Sequence, residues 1–308
     1  TKVAVVHNGI IENHEKLRRE LEAEGVVFQS ETDTEVIPHL IARCYDGDPV
    51  AAIRAAVARL EGSYSLAVVF ADRADRIYCA RQASPLLVGK GRHEMLLASD
   101  IPALLPHAHE MCLLDEGVIA ELSVDDLRLQ TFDGQIVPTV FKPIEVTAEA
   151  VSKGSFDSFM AKEIAEQPAV LRRLIDSRLI GDRVVEPDLG IDLAAVNHVV
   201  FLACGTSWHA SLLAKRFLEH FARVHVEVDI SSEYRYRNPV ASGDTLVVAI
   251  SQSGETADTL AGLRLARAKF MPVISLVNVV TSTIARESDG VMPLLAGPEI
   301  GVASTKAY

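Results

Sequence analysis

Two short stretches of this 308-residue chain gather small, hydroxylated residues at one place: Cys204-Gly205-Thr206-Ser207 and Ser251-Gln252-Ser253-Gly254-Glu255-Thr256. Each follows an apolar run, VVFLA or TLVVAI, and each precedes a helical pattern. Free backbone N–H groups, the positive end of a helix and Ser/Thr hydroxyls can then all address one anion. Neither stretch is GxGxxG or GxxxxGK[ST], which disfavours dinucleotide and nucleoside triphosphate sites. Neither contains Lys or Arg, which suits a sugar phosphate held by neutral donors. The plainer alternative is helix capping, since Ser and Thr are common N-caps. Two such loops at the carboxyl ends of sheet strands favour the phosphate-bearing ligand.

A third stretch, VAVVHNGIIEN at 3–13, runs an apolar strand into His7-Asn8-Gly9. Asn-Gly is a common turn pair. The same pair can also supply an amide and a backbone N–H to a developing oxyanion. His7 is expected to be structural, because an oxyanion hole there needs donors rather than a base.

These residues sit in a chain of globular composition, with 49% hydrophobic and 23% charged residues. That length suggests about two domains. A formal net charge of −12 argues against nucleic-acid and anionic-membrane partners, which need a basic footprint. No apolar run is long enough to cross a bilayer. Cys44, Cys79, Cys112 and Cys204 are widely spaced, form no CxxC pair and lie in apolar contexts. They read as small buried hydrophobes of a cytoplasmic protein. The ten His residues show no HExxH or similar spacing, so neither a metal nor a cofactor is expected.

The elements that must position these loops differ between the two halves. In the first half, helical spacing covers Asn13 to Glu24 and ends at Gly25. Thr32 and Glu35 read as a capping box for a helix running toward Tyr45, with Pro38 costing it one hydrogen bond. Asp48-Pro49 starts a third helix, expected to end near Gly62. Short β-like runs follow: YSLAVVFA, RIYCA, PLLVG, EMLLAS, EMCLL, GVIAEL and LRLQTF, the last turned by Asp133-Gly134. Helices bunched early and strands in succession imply an α+β layered domain over 1–137. Periodicity fades over 138–160, which reads as a linker, with a helix from about Phe159 to Arg178 leading on. Over 161–308, HVVFLA, VHVEVD, TLVVAI, PVISLV and GVMPLL alternate with helices, including ones expected over Trp208–Phe221 and Thr256–Ala268. Their continuous apolar character implies an α/β doubly wound parallel sheet, with its ligand at the carboxyl ends of the strands. Opening on a strand and stopping at GVASTKAY, the chain reads as a segment of something longer.

The segments CGTSWHA, SEYRYR, SQSGETADTLAGLRLA, NVVTSTIARESDG and EIGVASTKAY resemble the first sugar-isomerase (SIS) domain of the glutamine:fructose-6-phosphate aminotransferase, or glucosamine-6-phosphate synthase, family. VVHNGIIENHEKLRREL, SETDTEVIPHLI, LEGSYSLAVV, ARQASPLLVG, ASD and LDEGVIAEL resemble the later part of that family's N-terminal-nucleophile (Ntn), type-2 glutamine amidotransferase domain. AKEIAEQP matches the entry into the isomerase half. The resemblance covers nearly the whole chain, in order. It implies a two-site enzyme with glutamine and fructose 6-phosphate as substrates, homodimeric at full length. In it, an N-terminal Cys releases ammonia from glutamine through an oxyanion, and the ammonia converts fructose 6-phosphate to glucosamine 6-phosphate, the first step of hexosamine synthesis.

By the same resemblance, Asn8 and Gly9 match the oxyanion hole and Asp33 the carboxylate that binds the glutamine α-amino group. For Asp33, favourable charge in a first helical turn is the local alternative. Thr206, Ser207, Ser251, Gln252, Ser253 and Thr256 match the sugar-phosphate loops, and Val302 and Ser304 match a segment approaching the sugar. Glu255 reads as first-turn charge, Lys306 as a helix-surface residue and Trp208 as packing. Where the family begins with its nucleophilic Cys, this chain has Thr1. The Arg expected at the glutamine carboxylate and the second SIS domain are also absent, so the segment by itself is expected to be inactive in both half-reactions. A sugar-phosphate-binding SIS regulator and another Ntn amidotransferase are the competing readings. The first would more often carry a basic DNA-binding domain upstream, and the second leaves 251–256 unexplained.

Overall fold

Helices bunched early and strands in succession build the N-terminal half into layers. The computed structural model describes residues 2–144, 151–185, 187–240 and 244–307, in two compact units, Thr1–Ala148 and Glu149–Tyr308. The first unit begins with β1 (Val3–Ile11), α1 (His14–Ala23), a 3₁₀ turn (Asp33–Glu35), α2 (Val36–Cys44) and α3 (Pro49–Val57). β2 (Gly62–Phe70), β3 (Ile77–Gln82), β4 (Leu87–Lys90), β5 (Met95–Ala98), α4 (Ile101–Leu104), β6 (Glu110–Leu113), β7 (Val118–Leu122), β8 (Leu127–Thr131), β9 (Ile136–Val137) and β10 (Lys142–Pro143) follow.

Two antiparallel sheets result, ordered β1-β2-β3-β7-β8-β9 and β10-β6-β4-β5. Leu17, Leu21, Leu40 and Ile53 of the three helices pack with Leu66, Val68 and Phe70 on one face of the larger sheet. Cys79, Val118 and Ala120 on its other face meet Val88 and Cys112 of the smaller sheet, whose outer face is covered by Leu104 of α4. The α+β layering expected from the sequence is present. β10 lies in the stretch read as linker; residues 145–150 of that stretch fall outside the described residues.

Several local readings need correction. His7-Asn8-Gly9 does not end a strand: β1 continues to Ile11, with Asn8 opposite Ser65 and Gly9 opposite Tyr64. Thr32 makes no capping bond. Glu35 instead accepts from the backbone N–H groups of Gln29 and Ser30 at 2.8 and 2.7 Å and from the Ser30 hydroxyl. Because α2 starts only at Val36, Pro38 lies in its first turn and costs no helical bond. α3 is capped by Asp48 as expected, through Val50 and Ala51 N–H, but stops at Val57.

The second unit holds α5 (Phe159–Arg178), the hairpin β11 (Leu179–Ile180) and β12 (Arg183–Val184), β13 (His198–Ala203), α6 (Gly205–Phe217) and β14 (His225–Ile230). It continues with α7 (Ser231–Tyr236), β15 (Thr245–Ser251), α8 (Ala257–Ala268), β16 (Val273–Val277), α9 (Thr283–Glu287) and β17 (Gly290–Pro293). The sheet is parallel throughout and ordered β14-β13-β15-β16-β17, the doubly wound expectation. All seven residues of β15 are buried, because both faces of a central strand are covered. α6 begins three residues before the expected Trp208, and a π turn over Leu218–Ala222 prolongs it to Arg223. Among the described residues no helix is long and apolar enough to cross a membrane.

The bonds from Ser30 and Gln29 lower the Glu35 carboxyl to about 2, with the Ser30 hydroxyl the largest cause. A depressed carboxyl stabilises the fold fully above its ordinary value of 4.5, and that contribution is lost as pH falls through about 2. A carbon-13 carboxyl titration is expected to place the Glu35 midpoint near 2, and Glu35→Gln to remove this part of the acid limb of the stability profile.

Candidate functional site

In the second unit, strand order reverses at β13: the chain passes to β14 on one side and returns to β15 on the other. Such a switch point leaves a crevice beyond the carboxyl ends of the two strands. A cleft of 360 Å³ lies there, lined by the 204–207 loop, the 250–253 stretch with Thr256, and Glu299 with 301–304. All eight residues expected around a sugar phosphate line it: Thr206, Ser207, Ser251, Gln252, Ser253, Thr256, Val302 and Ser304.

Two helix starts open on the cleft. Gly205, Thr206 and Ser207 form the first turn of α6, and Thr256 is the N-cap of α8; neither helix start receives a side-chain cap bond. α3, α4, α5 and α9 are capped by Asp48, Asp100, Ser158 and Ser282. α1, α2 and α7 also start without one. What distinguishes α6 and α8 is that both open on the same cleft. Capping, the plain alternative for these loops, is thus not what their hydroxyls do.

Ser251 organises the second loop instead. Its Oγ lies 2.8 Å from Thr256 Oγ1 and accepts from Gly254 N–H at 2.9 Å, while Ser253 Oγ accepts from Glu255 N–H at 3.2 Å. Gly254 turns the loop at φ +67°, and a Cβ there would stand 1.9 Å from Ser282 Oγ. Only glycine fits both constraints. Glu255 is not a first-turn charge: its Oε1 accepts from Thr283 N–H at 2.7 Å and from the Thr283 hydroxyl at 3.0 Å, tying the loop to α9. Cys204, read as a buried hydrophobe, is half-buried and lines the cleft. Cys79 is buried, which pushes its thiol up. Trp208 packs against the sheet as expected.

Sequence reasoning missed the residues that hold the third wall. Glu163, 2% exposed, accepts from Ile300 N–H at 2.6 Å and from Gly301 N–H at 3.1 Å. Gln167, one turn on, donates to Thr305 O at 2.6 Å. Glu299 accepts from the Ser304 hydroxyl and from the N–H groups of Thr305 and Lys306, which turns its charge into its own loop. Lys306 is not a surface residue: its side chain is 4% exposed and pairs with Glu166. The i, i+3, i+4 spacing of Glu163, Glu166 and Gln167 was the available signal, but their partners lie some 140 residues away.

The first unit carries the other predicted set. Asp33 Oδ2 accepts from Ile11 N–H at 2.8 Å, and Thr34 Oγ1 lies 2.9 Å from His7 Nδ1. These bonds lay the 33–35 turn against β1, with Asn8 and Gly9 between the anchors. Burial lowers the pKa of His7 despite the opposing charge of Asp33. Among the described residues no cation pairs with Asp33. Asn8 is exposed. Gly9 has φ +139°, and a Cβ there would meet Ser63 O at 2.0 Å, so glycine is required.

A family profile described as SIS domain matches residues 192–308, and one described as glutamine amidotransferase domain matches residues 1–106. The glutamine–fructose-6-phosphate aminotransferase (isomerizing) of Symbiobacterium thermophilum is 50% identical over 100% of this chain and 51% of its own length. That of Thermus thermophilus is 44% identical over the same shares. Over its whole length the chain is similar to these aminotransferases, and it carries a glutamine amidotransferase domain followed by an SIS domain. It spans about half the length of the curated aminotransferase relatives it matches. A solved structure, the C-terminal domain of glucosamine-fructose-6-phosphate aminotransferase from Francisella tularensis, aligns at 41% identity over 51% of this chain and 44% of that one, with a TM-score of 0.47.

Glu163→Ala is expected to leave two half-buried N–H groups of the 300–301 loop without their acceptor, lowering the stability of the second unit by about 1–3 kcal/mol. Glu163→Gln, which keeps an acceptor oxygen, is expected to cost less. Urea denaturation of both variants checks the order.

Proposed function

We propose that this chain serves a glutamine-dependent aminotransferase that makes glucosamine 6-phosphate from fructose 6-phosphate, its first unit contributing to glutamine hydrolysis and its second to sugar-phosphate binding. The observation that carries the sugar half is the pair of uncapped helix starts converging on one cleft without Lys or Arg in its lining. Backbone N–H groups and helix ends favour a phosphate there, and the Thr206, Ser253 and Thr256 hydroxyls add neutral donors.

In the first half-reaction, water and the glutamine amide give glutamate and ammonia. As the amide carbonyl becomes tetrahedral, its oxygen gains negative charge, which the Asn8 amide and Gly9 N–H would stabilise. Asp33 would hold the α-ammonium of glutamine, which suits a carboxylate that meets no cation among the described residues. In the second, ammonia condenses with the C2 ketone of the open-chain sugar, water leaves, and the imine isomerises to the amino-aldose. The cleft's part is to hold the phosphate end, with Val302 and Ser304 beside the sugar.

Homodimerisation of the longer protein is supported by Leu213, Phe217 and Phe221, which lie 57–76% exposed along α6 and its π turn. A cytoplasmic setting agrees with four free cysteines.

Fructose 6-phosphate is expected to raise the melting temperature of the chain in a concentration-dependent way, while fructose is not. Thr206→Ala and Ser253→Ala are each expected to weaken the response by about 0.5–1.5 kcal/mol, or roughly two- to tenfold. No shift at millimolar fructose 6-phosphate would remove the sugar-phosphate assignment.

A further inference from the structure

At the opposite end of the same sheet, the first residues of β13 and β14 stand side by side. His198 is in register with His225, their rings 4.9 Å apart, and Glu227, two residues along β14, points to the same face. The donor atoms of His198, His225 and Glu227 all lie within 4.8 Å of one another. We propose that these three side chains form a binding site for a divalent transition metal such as zinc, with water completing the coordination.

The donor set is the first reason. Two imidazoles and one carboxylate with an open position suit zinc and its neighbours. Donors about 2.0–2.1 Å from a tetrahedral zinc stand about 3.3 Å apart. His198 Nε2 and Glu227 Oε1 are already 3.7 Å apart, too long for a hydrogen bond and close to a bridged spacing. Small rotations of the exposed His225 and Glu227 bring in the rest.

The orientation of His198 is the second. Its Nδ1 lies 3.0 Å from Thr245 Oγ1, the outer partner that fixes an imidazole and leaves Nε2 as the ligand. Nε2 is buried and, among the described residues, has no hydrogen-bond partner. A buried polar atom left so is unusual in a folded chain, and a bound ion would satisfy it.

The surrounding charge is the third. Arg237 lies 2.6 Å from Asp229 Oδ2 and 3.7 Å from Glu227 Oε2. It thereby neutralises Asp229 and leaves Glu227 Oε1 facing the histidines. The sequence missed the site because metal motifs are read from spacing along the chain, whereas these ligands come from parallel strands 27 residues apart. The site lies at the amino ends of the strands and the candidate sugar cleft at their carboxyl ends, so the ion would pin edge strand β14 to β13 rather than enter the chemistry.

The test is a calorimetric titration of the chelator-treated chain with Zn²⁺. One ion per chain is expected, with affinity falling by more than about tenfold in His225→Ala and in His198→Asn. His93→Ala is expected to bind as the parent does. Arg237→Ala is expected to bind several-fold tighter, because a nearby positive charge is removed. His225 is exposed, so His225→Ala keeps the test readable even where His198→Asn disturbs the strand. Absence of binding at tens of micromolar Zn²⁺, or binding unchanged by either histidine substitution, would overturn the proposal.

Discussion

The second unit depends on one constraint: a parallel sheet whose strand order reverses cannot close over the ends of its two innermost strands. β13 and β15 deliver their following helices to opposite faces, and both helix starts face the gap. Leu202, Leu260 and Leu263 are buried beside this point, each worth about 1.5–3 kcal/mol of burial. That burial fixes the strands and α8 against one another. The donors at the helix starts can therefore stay uncapped without the helices fraying.

Everything around the gap serves to hold a shape rather than to supply charge. Ser251 ties Thr256 and Gly254 into one loop, Gly254 lets the loop pass beneath Ser282, and Glu255 fastens it to α9. The third wall hangs from α5 through buried Glu163 and through Gln167. Charges near the cleft are internally matched, Glu299 by its own loop and Lys306 by Glu166. A cavity without Lys or Arg in its lining remains, which fits the phosphate proposed for it.

The first unit uses a comparable device on an antiparallel frame. Side-chain bonds from Asp33 and Thr34 to β1 hold a short turn against the strand that carries Asn8 and Gly9. Glu35 stiffens that turn from behind through Gln29 and Ser30. This bonding explains why the Thr32–Glu35 pattern misleads as a capping box. The carboxylate finds two backbone donors in the preceding loop that a sequence window centred on the helix does not consider.

By itself the sequence determined the local periods, and through them most elements: the continuous apolar strands of the parallel sheet, the short β-like runs of the layered unit, and the hydroxyl-rich loops. It also determined where glycine was needed, at Gly9 and Gly254, although not why. The contacts across large separations were decided only by the tertiary structure. That Asn8 and Gly9 lie within a strand follows from pairing with β2, and that Lys306 is buried follows from Glu166 on α5. The juxtaposition of His198 with His225 follows from strand register. Periodicity reports which face of an element is apolar, whereas a partner is chosen by which elements the sheet topology brings together. That choice is a property of the whole folded chain.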